Sequence, residues 1–232
     1  SDGTYYYTPD NWYDEVFHSS FRQEYNANVT GSNGKMNYFA SAGYLQDGGI
    51  VDNSELKRYT ARTTVDYQAK KWLKLTTGLS FTHTDSQSPQ YDVYTYGSSG
   101  NLFYITNNVA PIYPLYVRNA DGSIKTEGGR VIYDANQTGF QRPAISGTAV
   151  RDNEYNSSNS YRDILQGQWD VQITPIEGLV LDANLNAFSS NTRANDLASA
   201  FANGQADDGI ASVSANRYFT VNQRYTVNYD KS

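Results

Sequence analysis

"FRQEYNANVTGSNGKMNYFASAGYLQDGGIV", residues 21–51, decides how the rest of this chain is read. From Phe21 the odd positions are Phe21, Gln23, Tyr25, Ala27 and Val29, and the even positions are Arg22, Glu24, Asn26, Asn28 and Thr30. One row is wholly hydrophilic, the period-2 signature of a strand with two unlike faces. Gly31-Ser32-Asn33-Gly34 then supplies residues that tolerate positive φ, as a tight hairpin requires. After it the alternation resumes, with Met36, Tyr38, Ala40, Ala42 and Tyr44 opposed to Asn37, Ser41 and Gly43; Phe39 and Leu45 interrupt the polar row.

Two more hairpins repeat the plan. Tyr59, Ala61, Thr63, Val65 and Tyr67 oppose Arg58, Thr60, Arg62, Thr64 and Asp66; after Lys70-Lys71, Leu73, Leu75, Leu79 and Phe81 oppose Lys74, Thr76, Ser80 and Thr82. Further on, Leu165, Trp169, Val171 and Ile173 alternate with Gln166, Gln168, Asp170 and Gln172. That strand turns at Pro175-Ile176-Glu177-Gly178 and returns as Leu179, Leu181, Ala183, Leu185 and Ala187 against Asp182, Asn184 and Asn186. A last strand runs near Phe219 to Tyr229. The pattern predicts an all-β, antiparallel fold of about seven strands, each roughly 9 to 12 residues, longer than the ~5 to 6 usual in globular sheets.

Composition bounds what such a sheet does. The 232 residues include 21 Tyr and 9 Phe, no Cys, and a net charge of −6 at a pI near 4.9. Mean hydropathy is −0.66, yet only 18% of residues are charged; Ser, Thr, Asn, Gln, Gly and Tyr supply the polarity. The acidic balance opposes nucleic-acid binding, which needs cationic groups to displace phosphate counterions. Absence of cysteine removes disulfides and thiolate metal sites. His18 and His83 are far apart and sit in no zinc or nucleophile motif, so no enzyme activity, metal or cofactor is expected. "DNEYNSSNSYRD" from Asp152 offers oxygen ligands at alternate positions of a calcium loop but has Ser157 where the sharp turn needs Gly.

No apolar run is long enough for a membrane helix, but a barrel strand crosses with only ~10 residues and one oily face. Three features favour that reading over a water-soluble sandwich: long strands, connections that are short on one side and long on the other (residues 85–160 and 190–214), and Tyr and Trp near the ends of the apolar row. The oily row then faces lipid, and Arg22, Glu24, Arg58, Arg62, Lys74 and Asp170 face a wet lumen. A secreted carbohydrate-binding β-sandwich is the alternative, and a small eight-stranded anchoring barrel a third reading.

"NWYDEVFHSSFRQEYNANVTG", "KMNYFASAGYLQDGGIV", "RYTARTTVDYQAKKWLKLTTGLSFTHT", "PIYPLYVRNADGSI" and "ITPIEGLVLDANLNA" together resemble the SusC/RagA family of TonB-dependent outer-membrane transporters, in consistent order along nearly the whole chain. The resemblance implies part of a large barrel, roughly 22 strands in this class, closed by a plug that has no counterpart in these residues. It implies import of glycans or peptides across the outer membrane of a Gram-negative Bacteroidetes bacterium, with a SusD-like surface lipoprotein and energy from the TonB complex. About seven strands do not seal such a lumen, so the chain reads as a transporter segment with unpaired edges. Residues 85–160 then form the outer loop most suited to substrate contact, through Tyr91, Tyr94, Tyr96, Phe103, Tyr104, Tyr113 and Tyr116, with Tyr133 nearby. Tyrosine faces stack on sugar rings, but the same rings also serve to pack a loop. A helical turn after Ser98-Ser99 and a small hairpin at Asn119-Ala120-Asp121-Gly122 are expected within it.

Overall fold

The computed structural model describes residues 9–89, 102–110, 112–134, 148–202 and 209–230. Seven strands form one antiparallel sheet in the order β1 (Arg22–Ser32), β2 (Met36–Gly48), β3 (Glu55–Lys70), β4 (Leu73–Ser88), β7 (Ser157–Ile176), β8 (Leu179–Ala198) and β9 (Ile210–Tyr229). Every neighbour in space is the next sheet strand in sequence, so the sheet is a plain meander. Between β4 and β7 lie α2 (Leu102–Asn108), a two-strand ribbon of β5 (Thr126–Glu127) and β6 (Arg130–Val131), and α3 (Thr148–Tyr155); α1 (Trp12–Val16) precedes β1. The expected helical turn and hairpin are both present: Asn119 donates its N–H to Ser123 and accepts from Gly122, closing the turn.

The three short connections lie at one end of the sheet. At the first, Asn33 turns its side-chain oxygen onto the N–H groups of Lys35 and Met36, and Gly34 takes φ of 81°. At the third, Gly178 takes φ of 82°. The opposite end carries α1, the β2–β3 connection and the β4–β7 insertion.

Strand extents differ from the sequence expectation. The strands run 11 to 20 residues, so β4 and β7 reach into the stretch assigned to residues 85–160, and β8 and β9 reach into 190–214. Segments such as Ser189-Ser190-Asn191-Thr192 are polar on both faces and carry no alternation to read. Ladder hydrogen bonds hold them extended, a backbone property to which side-chain polarity is blind. The "DNEY" stretch from Asp152 lies in α3 and Ser157 opens β7, which excludes a calcium loop there.

The sheet is a single layer. Among the described residues no second sheet covers either face, as a sandwich would require, and ring closure is not seen. Tyr25 is 62% exposed, Leu165 53% and Phe219 62%, so the apolar row lies open. The buried apolar cluster sits at the long-loop end, where Trp12 and Val16 of α1, Val51, Leu102 and Ile105 of α2, Leu115, Tyr133 and Ala149 meet.

Candidate functional site

Register fixes which side chains share a face. Because neighbouring strands pair without slips over most of their length, residues directly opposite one another point the same way. Arg22, Glu24, Arg58, Arg62, Lys74 and Asp170 all fall on one face, together with Asp66, Thr76, Arg162, Asp182 and Arg224. The sequence grouping of the first six is thus a single physical surface. Arg162 escaped notice because it lies in a polar stretch without period.

This face is laced by hydrogen bonds. Thr76 donates to Asp66 at 2.6 Å, Gln168 and Asn184 both donate to Asp170, and Gln172 donates to Asp182 at 3.1 Å. Arg22 pairs with Glu24 at 3.0 Å and approaches Asp47 at 3.6 Å. Amide and hydroxyl donors hold these carboxylates in place, so the surface presents acidic and basic side chains in a fixed arrangement. Gly78 leaves a concavity of about 290 Å³ beside Arg62, Thr76, Ser80 and Gln168.

The other face is an apolar band with a bounded top. Tyr25, Tyr44 and Tyr59 stand in one row across β1, β2 and β3, ring against ring, with centroids 6.5 and 5.0 Å apart. Their row ends the band: the Tyr25 and Tyr44 hydroxyls donate upward to Gln23 and Gln46, which join Glu55 and Lys57 in a polar row. Below lie Ala27, Val29, Ala42, Val65, Leu79, Phe81, Leu165, Leu181 and Val227. Tyr38 folds across Gly31, and Trp169 across Gly167, where any Cβ would strike the ring.

At the long-loop end the insertion and α1 build a cap. Asp10, only 7% exposed, accepts the Leu115 N–H at 2.7 Å and the Tyr116 N–H at 3.2 Å and is ion-paired with Arg118. Trp12 donates its indole N–H to the Tyr113 carbonyl at 2.9 Å. The Tyr116 hydroxyl donates to Glu15 at 2.7 Å, its ring lies 5.2 Å from that of Tyr133, and the Tyr133 hydroxyl donates to Glu154. Burial, reinforced by these carboxylates, raises the pKa of both phenols.

Of the aromatic residues singled out from sequence, Tyr113 and Tyr116 therefore pack into this cap, Phe103 rests on Phe17 at 5.4 Å, and Tyr104 lies on the outer side of α2. Tyr91, Tyr94 and Tyr96 lie outside the described residues. Sequence reasoning missed Asp10, whose neighbours along the chain give no hint that it bridges to residues 115–118.

No protein-family model matches the sequence, and no curated protein does. Solved structures do match. The RagAB peptide importer in its "closed-closed" state superposes with a TM-score of 0.64 at 20% identity, over 95% of this chain and 23% of that one. The RagAB peptide transporter, and the importer in its "open-open" state, each give 0.66 at 20% identity over 97% of this chain and 24% of theirs. This chain thus spans about a quarter of the length of the chains it matches. Its sheet has the fold of a segment of those RagAB chains, and RagA is a transporter of the SusC type that the sequence motifs resemble.

Proposed function

We propose that the sheet is a section of the wall of a transmembrane β-barrel in an outer-membrane nutrient importer of the SusC type. The observation that carries this reading is the exposed apolar band, bounded above by a tyrosine row, with a hydrogen-bonded polar face behind it. Ten residue steps separate Leu73 from His83 in the Tyr59 row. At ~3.4 Å per residue they span about 34 Å of strand, and a tilt of ~40° reduces this to about 26 Å of height, close to the ~25 Å band of outer-membrane barrels. The polar face then lines the lumen, where fixed carboxylates, amides and guanidinium groups serve a polar cargo, glycan or peptide; the RagAB neighbours are described as peptide importers. The cap stands at the outer mouth, where a SusD-like lipoprotein would close the pore. TonB coupling belongs to the whole transporter, as does a plug.

None of these 232 residues is a cysteine, so each introduced thiol is unique within the sheet. Single cysteines at positions 77–83 of β4 and 185–191 of β8, spin-labelled in the native polypeptide in liposomes, should collide with dissolved oxygen at odd positions and with a water-soluble nickel chelate at even ones. Equal accessibility at neighbouring positions sinks the reading.

A further inference from the structure

Just above the apolar band, β7, β8 and β9 hold side chains that transport does not use. One row across the strands reads Asp163, Asn191, Arg217; the next row up reads Tyr161, Arg193, Ala215. Both rows point the same way as Leu165 and Phe219, and together they line a concavity of about 530 Å³. Arg193 and Arg217 are diagonal neighbours on adjacent strands, within reach of a shared ligand. Ala215, directly opposite Arg193, leaves the space between them open.

The guanidinium groups of this patch are largely uncommitted. Arg217 has no hydrogen-bond or ion-pair partner among the described residues, and Arg193 commits only its Nε, to Asn195 at 3.2 Å. Asp163 is engaged by His83 at 2.7 Å, and Asp85 lies across Tyr161 on β4. At the edge of a lipid-facing surface two guanidinium groups stand at the level of anionic headgroups, and their planar donors suit phosphate. Beneath them the small side chains of Ser189 and Ala187 stand between Leu165 on β7 and Phe219 and Val221 on β9, a low strip of the sheet running from the arginines into the band.

We propose that this patch binds a membrane lipid with a phosphate-bearing headgroup, Arg193 and Arg217 holding the phosphate and the Ala187–Ser189 strip an acyl chain. The site rests on the apolar face lying in lipid. Basic pockets at the membrane surface are a recurrent mode of headgroup recognition.

The test uses the native polypeptide in maltoside micelles, whose headgroup carries no phosphate, supplied with diphosphoryl lipid A, with the same lipid stripped of phosphate, or with inorganic phosphate, and reads retained lipid by native mass spectrometry. Wild type should retain the phosphorylated lipid over the stripped one. Loss of either arginine (R193Q or R217Q) should weaken retention about fivefold, and the double variant about twenty-five-fold. Arg193→Lys with Arg217→Lys should restore part of it, while Arg224→Gln, on β9 but on the opposite face, should leave lipid retention unchanged. Both arginines are exposed, so folding is not at stake. Undiminished retention by the double variant, no preference for phosphate, or displacement by inorganic phosphate as effective as by lipid overturns the proposal. The oxygen-collision profile of β4, measured on the same samples, separates that failure from failure of the barrel-wall reading.

Discussion

Asp10 joins the segment before β1 to the insertion between β4 and β7, more than a hundred residues away in sequence. Its replacement by alanine strips partners from two backbone N–H groups and from a guanidinium that is itself mostly buried. Removing one member of a buried ion pair typically costs about 3–5 kcal/mol. For Asp10→Ala we expect a loss of that order confined to the cap, seen as fast amide exchange at Leu115 and Tyr116 with ladder amides of β7 and β8 unchanged. The phenols give a pH prediction. Their folded pKa values are raised by burial, so the folded cap favours the neutral form and the unfolded chain releases the proton first. The stabilisation is complete below the ordinary tyrosine value of about 10 and is lost as pH rises beyond it. Cap amides should lose exchange protection above that pH in wild type, and by a smaller margin in Tyr116→Phe/Tyr133→Phe. The tyrosines also show a limit of sequence reading. A ring with a polar handle suits both a sugar platform and a packed cap, and composition cannot separate the two.

At the level of elements, the hairpin glycines separate conformational need from space. Gly34 and Gly178 both take left-handed φ, but a Cβ at Gly34 meets nothing within 4 Å, whereas at Gly178 it would sit 2.1 Å from the Asp230 carbonyl oxygen. Gly34→Ala should therefore cost only the conformational penalty of about 1–2 kcal/mol. Gly178→Ala should cost clearly more and open the Asp230 N–H bond to the Gly178 carbonyl. Urea titration of the protein in micelles checks the ranking. The turns and the apolar halves of the strands were legible because glycine and period-2 patterning are local signals. The outer halves were not, since a strand polar on both faces differs from a loop only in its ladder partners.

For the whole molecule, the two faces should respond oppositely to charge. Leu79→Arg places a cation in the middle of the band and should weaken folding into bilayers by about 2–4 kcal/mol, whereas Ser80→Arg, one residue on and facing the polar side, should cost far less. Denaturant titration of bilayer insertion measures both. By itself the sequence determined the hairpin order, the faces of the strand halves that alternate and the six polar residues that share one surface, because alternation and turn chemistry act over a few neighbouring residues. Only the tertiary structure decided that, among the described residues, no second sheet covers either face, that Asp10 gathers residues 115–118, that Tyr113, Tyr116 and Tyr133 pack into the cap, and that Arg193 and Arg217 are diagonal neighbours. Those facts rest on contacts between segments distant along the chain, where register and loop closure, not local pattern, bring side chains together.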